Sequence, residues 1–216
     1  MTPEELAKLH PQLFHVTRTN VLPLIEKHGL LSTNALLDLF EVEQTIRDDI
    51  AQRPRKAGIQ LSHRDNGVVW LNDQAPLNLK KLAKCLDDDL TPLSWLDILN
   101  SRVYLWADKA GLERLKTANV KRRRKVSILT INTLRFAEAF IDQLEISPIN
   151  SGATLHQPAH RGLSTFAKIN ELDFQTWRNR RRNLGYKNSL DTIKEVTVIG
   201  LIYNFTRFVD DIQHVD

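Results

Sequence analysis

Strand-like and helix-like segments follow one another irregularly along the chain, and this order constrains the fold more than any other feature. The strand-like segments are short apolar runs: Leu13–Thr17, Gly58–Ser62, Gly67–Leu71, Val103–Trp106, Val126–Ile131, Leu144–Ile149 and Val196–Asn204. Helical spacing or capping residues mark the other segments: Pro3–Leu9, Asn20–Lys27, Ala35–Phe40, Glu41–Gln52, Leu77–Leu86, a helix beginning at Thr91-Pro92, Lys109–Thr117, Thr133–Gln143 and Asn170–Asn183. Because the two kinds of segment do not alternate regularly, we predict an α+β fold.

Length and composition favour one globular domain. The chain has 216 residues, of which 42% are hydrophobic and 26% charged. These values are ordinary for a folded protein with a sizeable core. The chain has no internal repeat and no Pro/Gly-rich linker, so we predict a single domain over residues 1–216.

The same sequence predicts a cytoplasmic protein. Cys85 is the single cysteine, which excludes an intramolecular disulfide and a cysteine-based zinc site. The first residues lack the basic and apolar regions of a secretion signal. The longest apolar runs, such as Val196–Phe205, are too short and too polar to cross a bilayer, so we expect no membrane partner.

Two clusters of basic residues stand out against a net charge of only +4. The first is the uninterrupted run Lys121, Arg122, Arg123, Arg124 and Lys125, and the second comprises Arg178, Arg180, Arg181 and Arg182. Concentrated positive charge favours binding to DNA or RNA through counterion release. Each cluster alone is equally typical of a solvated surface, but two together favour a nucleic-acid partner.

Common catalytic motifs are absent from the sequence. It has no phosphate-binding P-loop, no dinucleotide glycine fingerprint, no nucleophile elbow and no zinc-protease helix. His156 and His160 have the spacing of metal ligands on a helix, but Pro158 between them disfavours that helix. We therefore predict no metal site.

Three short segments carry a resemblance to a known family. They are Leu13–Thr17 with the following helix and His28–Ser32, the middle segment Asn100–Trp106, and the late segment Glu195–Ile199. Together they resemble ADP-ribosyltransferases, in particular the DarT-like nucleic-acid-modifying toxins and the KptA-type RNA 2′-phosphotransferases. The chain also resembles an uncharacterised bacterial family. The strong matches cover about a fifth of the chain.

The resemblance implies a fold and an activity. The expected core is a split β-sheet with peripheral helices, and the expected substrate is NAD, which is consumed without a metal. The acceptor would be a DNA or RNA base. Because such an activity is toxic to its host, the resemblance also implies a role as a toxin or phage-defence effector, with an antitoxin protein as a possible partner.

Glu195 and Arg102 are the predicted catalytic residues. A carboxylate beside ribose C1′ can stabilise the oxocarbenium-like transition state or deprotonate the acceptor, and Glu195 opens the last predicted strand. It could equally be a surface charge at the strand entry. The resemblance places Arg102 near the reacting centre, where it could bind a diphosphate through paired hydrogen bonds or merely extend over the rim.

His15, Thr17 and Tyr104 are the predicted NAD-binding residues. The resemblance implies that His15 binds the NAD ribose or the nicotinamide amide, whereas a buried core histidine is the alternative. Thr17 could bind a ribose hydroxyl or begin a turn. Tyr104 alternates with apolar residues, so its ring could stack on nicotinamide or pack in the core.

The chain departs from these families in two respects. It lacks the Arg-His-Arg set of the phosphotransferases, which makes RNA repair the weaker branch, and it carries an insert, predicted as helical, over roughly residues 36–90. Two alternatives stay open: a non-enzymatic nucleic-acid-binding module, and an ADP-ribosyltransferase with a protein acceptor.

Overall fold

The computed structural model describes residues 1–155, 158–173, 175–177, 179 and 193–215. Within them the chain has mixed α+β structure, which confirms the predicted class. The helices are α1 Pro3–Leu9, α2 Leu22–His28, α3 Thr33–Leu39, α4 Gln44–Gln52, α5 Leu79–Ala83, α6 Pro92–Asn100, α7 Lys109–Lys121 and α8 Thr133–Ala139. The strands are β1 Gln12–Arg18, β2 Leu30–Leu31, β3 Ile59–His63, β4 Gly67–Leu71, β5 Arg102–Trp106, β6 Val126–Asn132, β7 Leu144–Ser147, β8 Ala167–Lys168, β9 Glu195–Ile199, β10 Leu201–Ile202 and β11 Val209–Val215.

Seven of the described strands form one antiparallel sheet in the order β11-β6-β1-β5-β9-β7-β8. The apolar strand β6 pairs with β1 along its whole length, from Gln12 opposite Asn132 to Arg18 opposite Val126. Since strands from both ends of the chain share this sheet, the described residues form a single domain.

Alternating side chains divide the sheet into two packed faces. On one face, Leu13, Leu129 and Val196 belong to the largest apolar core, which also takes in α1, α2 and α8. On the other face, Phe14 packs with Leu112 of α7, while α5 and α6 build a separate cluster around Trp95. The sheet therefore lies between helices on both sides.

The sheet opens between β1 and β5. These strands share one paired position, Phe14 opposite Trp106, whereas the pairings on either side of them are continuous over five or seven residues. Beyond that position the ring of His15 hydrogen-bonds through Nδ1 to the backbone carbonyl of Tyr104 at 3.2 Å. The His15 side chain thus takes the place of the backbone hydrogen bonds that would otherwise continue between β1 and β5. The gap between these strands is a cavity.

Several predicted boundaries were wrong. The last predicted strand stops at Ile199, because Gly200 has φ +82° and turns the chain into β10, and a further strand, β11, then forms the edge of the sheet. Asn20 does not cap α2, because it lies within a 3-10 turn that precedes the helix. By contrast, Thr91 caps α6 as predicted and exchanges hydrogen bonds with Ser94.

The insert over residues 36–90 is not purely helical. The predicted strands Gly58–Ser62 and Gly67–Leu71 are confirmed as β3 and β4, which form a hairpin between α4 and α5. This hairpin packs Leu61, Val69 and Leu71 into the largest core. The insert therefore belongs to the body of the domain and supplies one wall of the cavity. None of the helices in the described part of the chain is long and apolar enough to cross a membrane.

We predict that Gly29→Ala destabilises the protein far more than Gly67→Ala. Both glycines have positive φ, +80° and +71°, so each alanine adds backbone strain of about 1–3 kcal/mol. At Gly29 the added Cβ would also lie 2.2 Å from the Ile202 carbonyl oxygen, whereas at Gly67 it would meet nothing within 4 Å. Thermal unfolding of both variants measures the difference, and equal losses of stability would contradict the close approach of α2 to β10.

Candidate functional site

A cavity of about 690 Å³ lies where β1 and β5 separate. All five residues predicted for catalysis or NAD binding line it: His15, Thr17, Arg102, Tyr104 and Glu195. Its volume is in the range that binds a nucleotide-sized ligand. Two tryptophans, Trp70 from the hairpin and Trp106 from β5, add flat aromatic surfaces to the lining.

The five residues do not all project from one face of the sheet. Trp106 lies opposite both Phe14 and Glu195, so these three side chains share a face. His15 follows Phe14 in β1 and therefore projects from the other face. One cavity can contact side chains from both faces of the sheet because β1 and β5 separate.

Glu195 is the carboxylate at the inner end of the cavity. It is 5% exposed, and it accepts hydrogen bonds from the Ser151 hydroxyl at 2.7 Å and from the Ser151 backbone N–H at 3.2 Å. Burial raises the pKa of Glu195 to about 7, although the Ser151 hydrogen bonds and the positive charge of Arg161 act in the opposite direction. A carboxyl group with this pKa can exchange a proton near neutral pH.

The loop after β7 holds Ser151 against Glu195. The Ser151 carbonyl accepts hydrogen bonds from the Trp95 indole at 3.3 Å and from the Arg161 guanidinium at 2.8 Å. Both partners are buried, and they anchor the residue whose backbone N–H and hydroxyl donate to the carboxylate. From the sequence alone, Asn150-Ser151-Gly152 could shape a pocket through its backbone amides or could be a plain loop, and nothing local identified Ser151 as the partner of Glu195.

Tyr104 places a buried hydroxyl group beside the carboxylate. Burial and the nearby negative charge of Glu195 raise the pKa of Tyr104, so the phenol keeps its proton. Although it lies near Ser151, the hydroxyl makes no hydrogen bond of normal geometry within the described residues. A buried donor of this kind is expected to find a partner in a bound ligand.

His15 is held in one tautomer. The Tyr104 carbonyl can only accept a hydrogen bond, so Nδ1 of His15 must donate it, and Nε2 is left as an acceptor. Burial lowers the pKa of His15, which favours this neutral ring. The arrangement suits a ligand hydroxyl or amide that donates to Nε2. Thr17 lies two residues further along β1 and lines the same cavity.

Arg102 is held by the protein rather than presented to a ligand. Its Nε and Nη2 donate to the two Glu145 oxygens at 2.7 and 3.1 Å, and Nη1 donates to the Ile98 carbonyl at 2.9 Å. The guanidinium also lies over the Phe166 ring, 4.5 Å from its centre. A diphosphate would have to displace Glu145, so this geometry suits a positioning residue better than a ligand-binding one.

The basic run 121–125 is divided between the cavity and solvent. Arg122 and Arg124 line the cavity and bind the same Asp73 oxygen, Oδ2, at 3.0 and 2.9 Å. The side chains of Lys121, Arg123 and Lys125 are exposed, since the chain turns at Arg123 with φ +51°. The second predicted cluster, Arg178, Arg180, Arg181 and Arg182, lies outside the described residues.

Arginine dominates the charge of the cavity. Among the described residues, the lining includes six arginines, Arg18, Arg55, Arg102, Arg114, Arg122 and Arg124, but only two acidic residues, Asp73 and Glu195. Sequence reasoning missed Arg18, Arg55 and Arg114, because isolated arginines carry no pattern before the fold brings them together. Such a lining favours an anionic ligand.

The described residues contain no group of three or more His, Cys, Asp or Glu side chains placed to bind a metal ion. His160, considered above as a metal ligand, pairs with Asp87 at 3.0 Å. His156 lies outside the described residues.

A family model described as a family of unknown function (DUF7002) matches residues 11–209. The chain belongs to this family. The matched region contains every residue that lines the cavity. No curated protein and no solved structure matches the chain. The family has no assigned activity, so a functional interpretation must rest on the site itself.

We predict that Glu195→Gln stabilises the protein at pH 8 but not at pH 4.5. The pKa of Glu195 is about 7 in the folded state and 4.5 ordinarily, so the folded state binds the extra proton between these values. The stability of the natural protein therefore falls between about pH 4.5 and pH 7, by about 3 kcal/mol in all, and glutamine removes this loss. Chemical unfolding across pH 4.5–8 measures it, and parallel pH curves for the two proteins would contradict the raised pKa.

We also predict that Ser151→Ala raises the pKa of Glu195 further, because it removes the hydroxyl donor to the ionised form. The midpoint should rise by about one pH unit. Side-chain NMR of isotope-labelled glutamate follows the titration. Ser127→Ala is the matched control, since Ser127 is equally buried but lies outside the cavity lining, where its hydroxyl hydrogen-bonds to Thr19 and His214. Equal midpoints in the two variants would exclude Ser151 as the partner that sets this pKa.

Proposed function

We propose that this protein is an NAD-consuming ADP-ribosyltransferase that modifies nucleic acid. One observation carries the proposal: a single nucleotide-sized cavity collects the buried carboxylate of Glu195, the unsatisfied hydroxyl of Tyr104, the neutral ring of His15 and an excess of arginine. The opening between β1 and β5 further supports the split-sheet core that the sequence resemblance implies.

The proposed reaction transfers ADP-ribose from nicotinamide to an acceptor. The bond between ribose C1′ and the nicotinamide nitrogen breaks, nicotinamide leaves as a neutral molecule, and C1′ forms a bond to a nitrogen or oxygen of the acceptor. Ionised Glu195 stabilises the positive charge at C1′ and takes the proton that the acceptor loses. No oxidant or reductant is required.

The other residues have supporting roles in this proposal. His15 accepts a hydrogen bond from the ribose or the nicotinamide amide through Nε2, and Tyr104 donates one through its hydroxyl. Thr17 contributes a further hydroxyl at the β1 side. Arg102 links β5 to β7 across the intervening β9 through Glu145, and so acts as a positioning residue rather than a direct ligand contact.

The exposed part of the basic run supports nucleic acid as the acceptor. Lys121 and Arg123 face solvent, next in the chain to the cavity residues Arg122 and Arg124. A polyanion bound by these side chains would lie at the rim of the cavity, close to the proposed transfer site. Transfer to a cellular nucleic acid would be toxic, which is consistent with a toxin or defence role and an antitoxin partner.

We predict that labelled NAD transfers its label to one nucleic-acid pool and that Glu195→Gln lowers transfer at least about 1,000-fold, as expected for loss of the transition-state carboxylate. The pools are single-stranded DNA, duplex DNA, RNA and protein. Glu138→Gln is the matched control, because Glu138 is exposed on α8 and outside the cavity.

The outcomes separate the alternatives. Label in the protein pool alone would replace nucleic acid by a protein acceptor. No label in any pool, together with no thermal stabilisation by NAD, would contradict the transferase and favour a non-enzymatic nucleic-acid-binding module. Undiminished transfer by Glu195→Gln would refute the role of that carboxylate.

A further inference from the structure

A cluster of three arginines around one aspartate forms the end of the cavity away from Glu195. Arg122 and Arg124, at the turn after α7, both bind Oδ2 of Asp73. The third arginine, Arg18, ends β1, four residues beyond the Phe14 position that aligns with Glu195, or roughly 13 Å along the strand. All four side chains line the cavity.

The positive charge of this cluster is only partly neutralised. Burial alone would raise the pKa of Asp73, but the Arg124 and Arg122 guanidiniums outweigh it and keep that pKa below its ordinary value. One carboxylate therefore stays ionised among three guanidiniums. The remaining positive charge favours the binding of a further anion.

Arg18 is the arginine that the aspartate does not satisfy. Its guanidinium lies over the Trp70 ring at 4.2 Å from the centre, and it makes no hydrogen bond or ion pair within the described part of the chain. Burial and the neighbouring charge of Arg124 lower its pKa. A partly buried guanidinium with free donors, placed over an indole ring, is preorganised to bind an incoming oxyanion.

A fourth arginine, Arg55, holds the loop that carries Asp73 in place. Arg55 is buried and donates to the Asn72 carbonyl at 2.9 Å and to Asn100 at 3.1 Å, while its own backbone carbonyl accepts from the Gln74 N–H at 2.7 Å. These bonds hold the residues on both sides of Asp73. The Asp73 carboxylate therefore has a fixed position next to Arg122 and Arg124.

We propose that Arg18, Arg122 and Arg124 form a binding site for a phosphate group, and that Asp73 occupies this site as an internal anion in the ligand-free protein. Two of the arginines use the same carboxylate oxygen, as they would use an oxygen of a phosphate. An entering phosphate would bind Arg18 first and then compete with Asp73 for the other two. The site deepens the proposed function and rests on it for the source of the phosphate, either the diphosphate of NAD or the backbone of a nucleic acid.

Pyrophosphate is the probe for the test, because it carries the shared chemistry without a sugar or base. Calorimetric titration of the purified protein at low salt should detect binding. Arg18→Gln should weaken it by at least about tenfold, as expected for loss of a charge-assisted hydrogen bond. Arg135→Gln is the matched control, because Arg135 pairs with Asp210 outside the cavity and its loss should leave the affinity unchanged.

Asp73→Asn tests the internal anion. It should strengthen pyrophosphate binding by roughly tenfold, because the competing negative charge is removed while the size of the side chain is kept. If this variant unfolds, Asp73→Ser replaces it, because it also removes the competing charge and should likewise strengthen binding. Arg122→Gln should weaken binding, as Arg18→Gln does. Absence of binding to the natural protein, or equal affinity in Arg18→Gln and Arg135→Gln, would overturn the site. Unchanged or weaker binding by a folded Asp73→Asn would overturn the role of the aspartate.

Competition identifies the source of the phosphate. Displacement of pyrophosphate by ADP-ribose assigns the site to the NAD diphosphate, and displacement by a short single-stranded oligonucleotide assigns it to the acceptor. Displacement by neither would overturn a role in substrate binding. Glu195→Gln should bind pyrophosphate normally. If the natural protein binds pyrophosphate but transfers no label from NAD, the proposed reaction is refuted while the phosphate site stands.

Discussion

The hydrogen bond from His15 to the Tyr104 carbonyl is the contact on which the site depends. It lies where β1 and β5 stop pairing, just beyond the one matched position that joins them. Continued pairing of these strands would close the sheet and leave no cavity between its two faces. The same bond fixes the His15 tautomer. One interaction therefore sets both the opening of the sheet and the chemistry of a side chain that lines it.

The charges around this opening are unevenly distributed. At one end, burial raises the pKa of Glu195 to about 7, and Ser151 limits that rise by donating two hydrogen bonds. At the other end, arginines surround Asp73. A ligand with a cationic reacting centre and a phosphate group some distance away would match both ends. NAD has this arrangement, which is why the geometry supports the transferase proposal over a general anion-binding surface.

Much of the fold could be predicted from local patterns, because apolar periodicity and caps act over a few residues. The strands that carry His15, Tyr104 and Glu195 were found in this way. The strand β11 was missed, because five consecutive residues of this edge strand are exposed and give it little apolar pattern. The roles of Ser151 and Asp73 could not be predicted, since each acts on residues more than 40 positions away, and no local pattern records such contacts.

The most direct test of the central claim is a structure of Glu195→Gln with NAD bound, since this variant should retain the substrate without turning it over. We predict that the nicotinamide ribose lies between residue 195 and the Tyr104 hydroxyl, with His15 Nε2 accepting a hydrogen bond from the ligand. NAD bound elsewhere on the surface, or a cavity that stays empty at saturating NAD, would contradict the assignment of this cavity as an ADP-ribosyltransferase site.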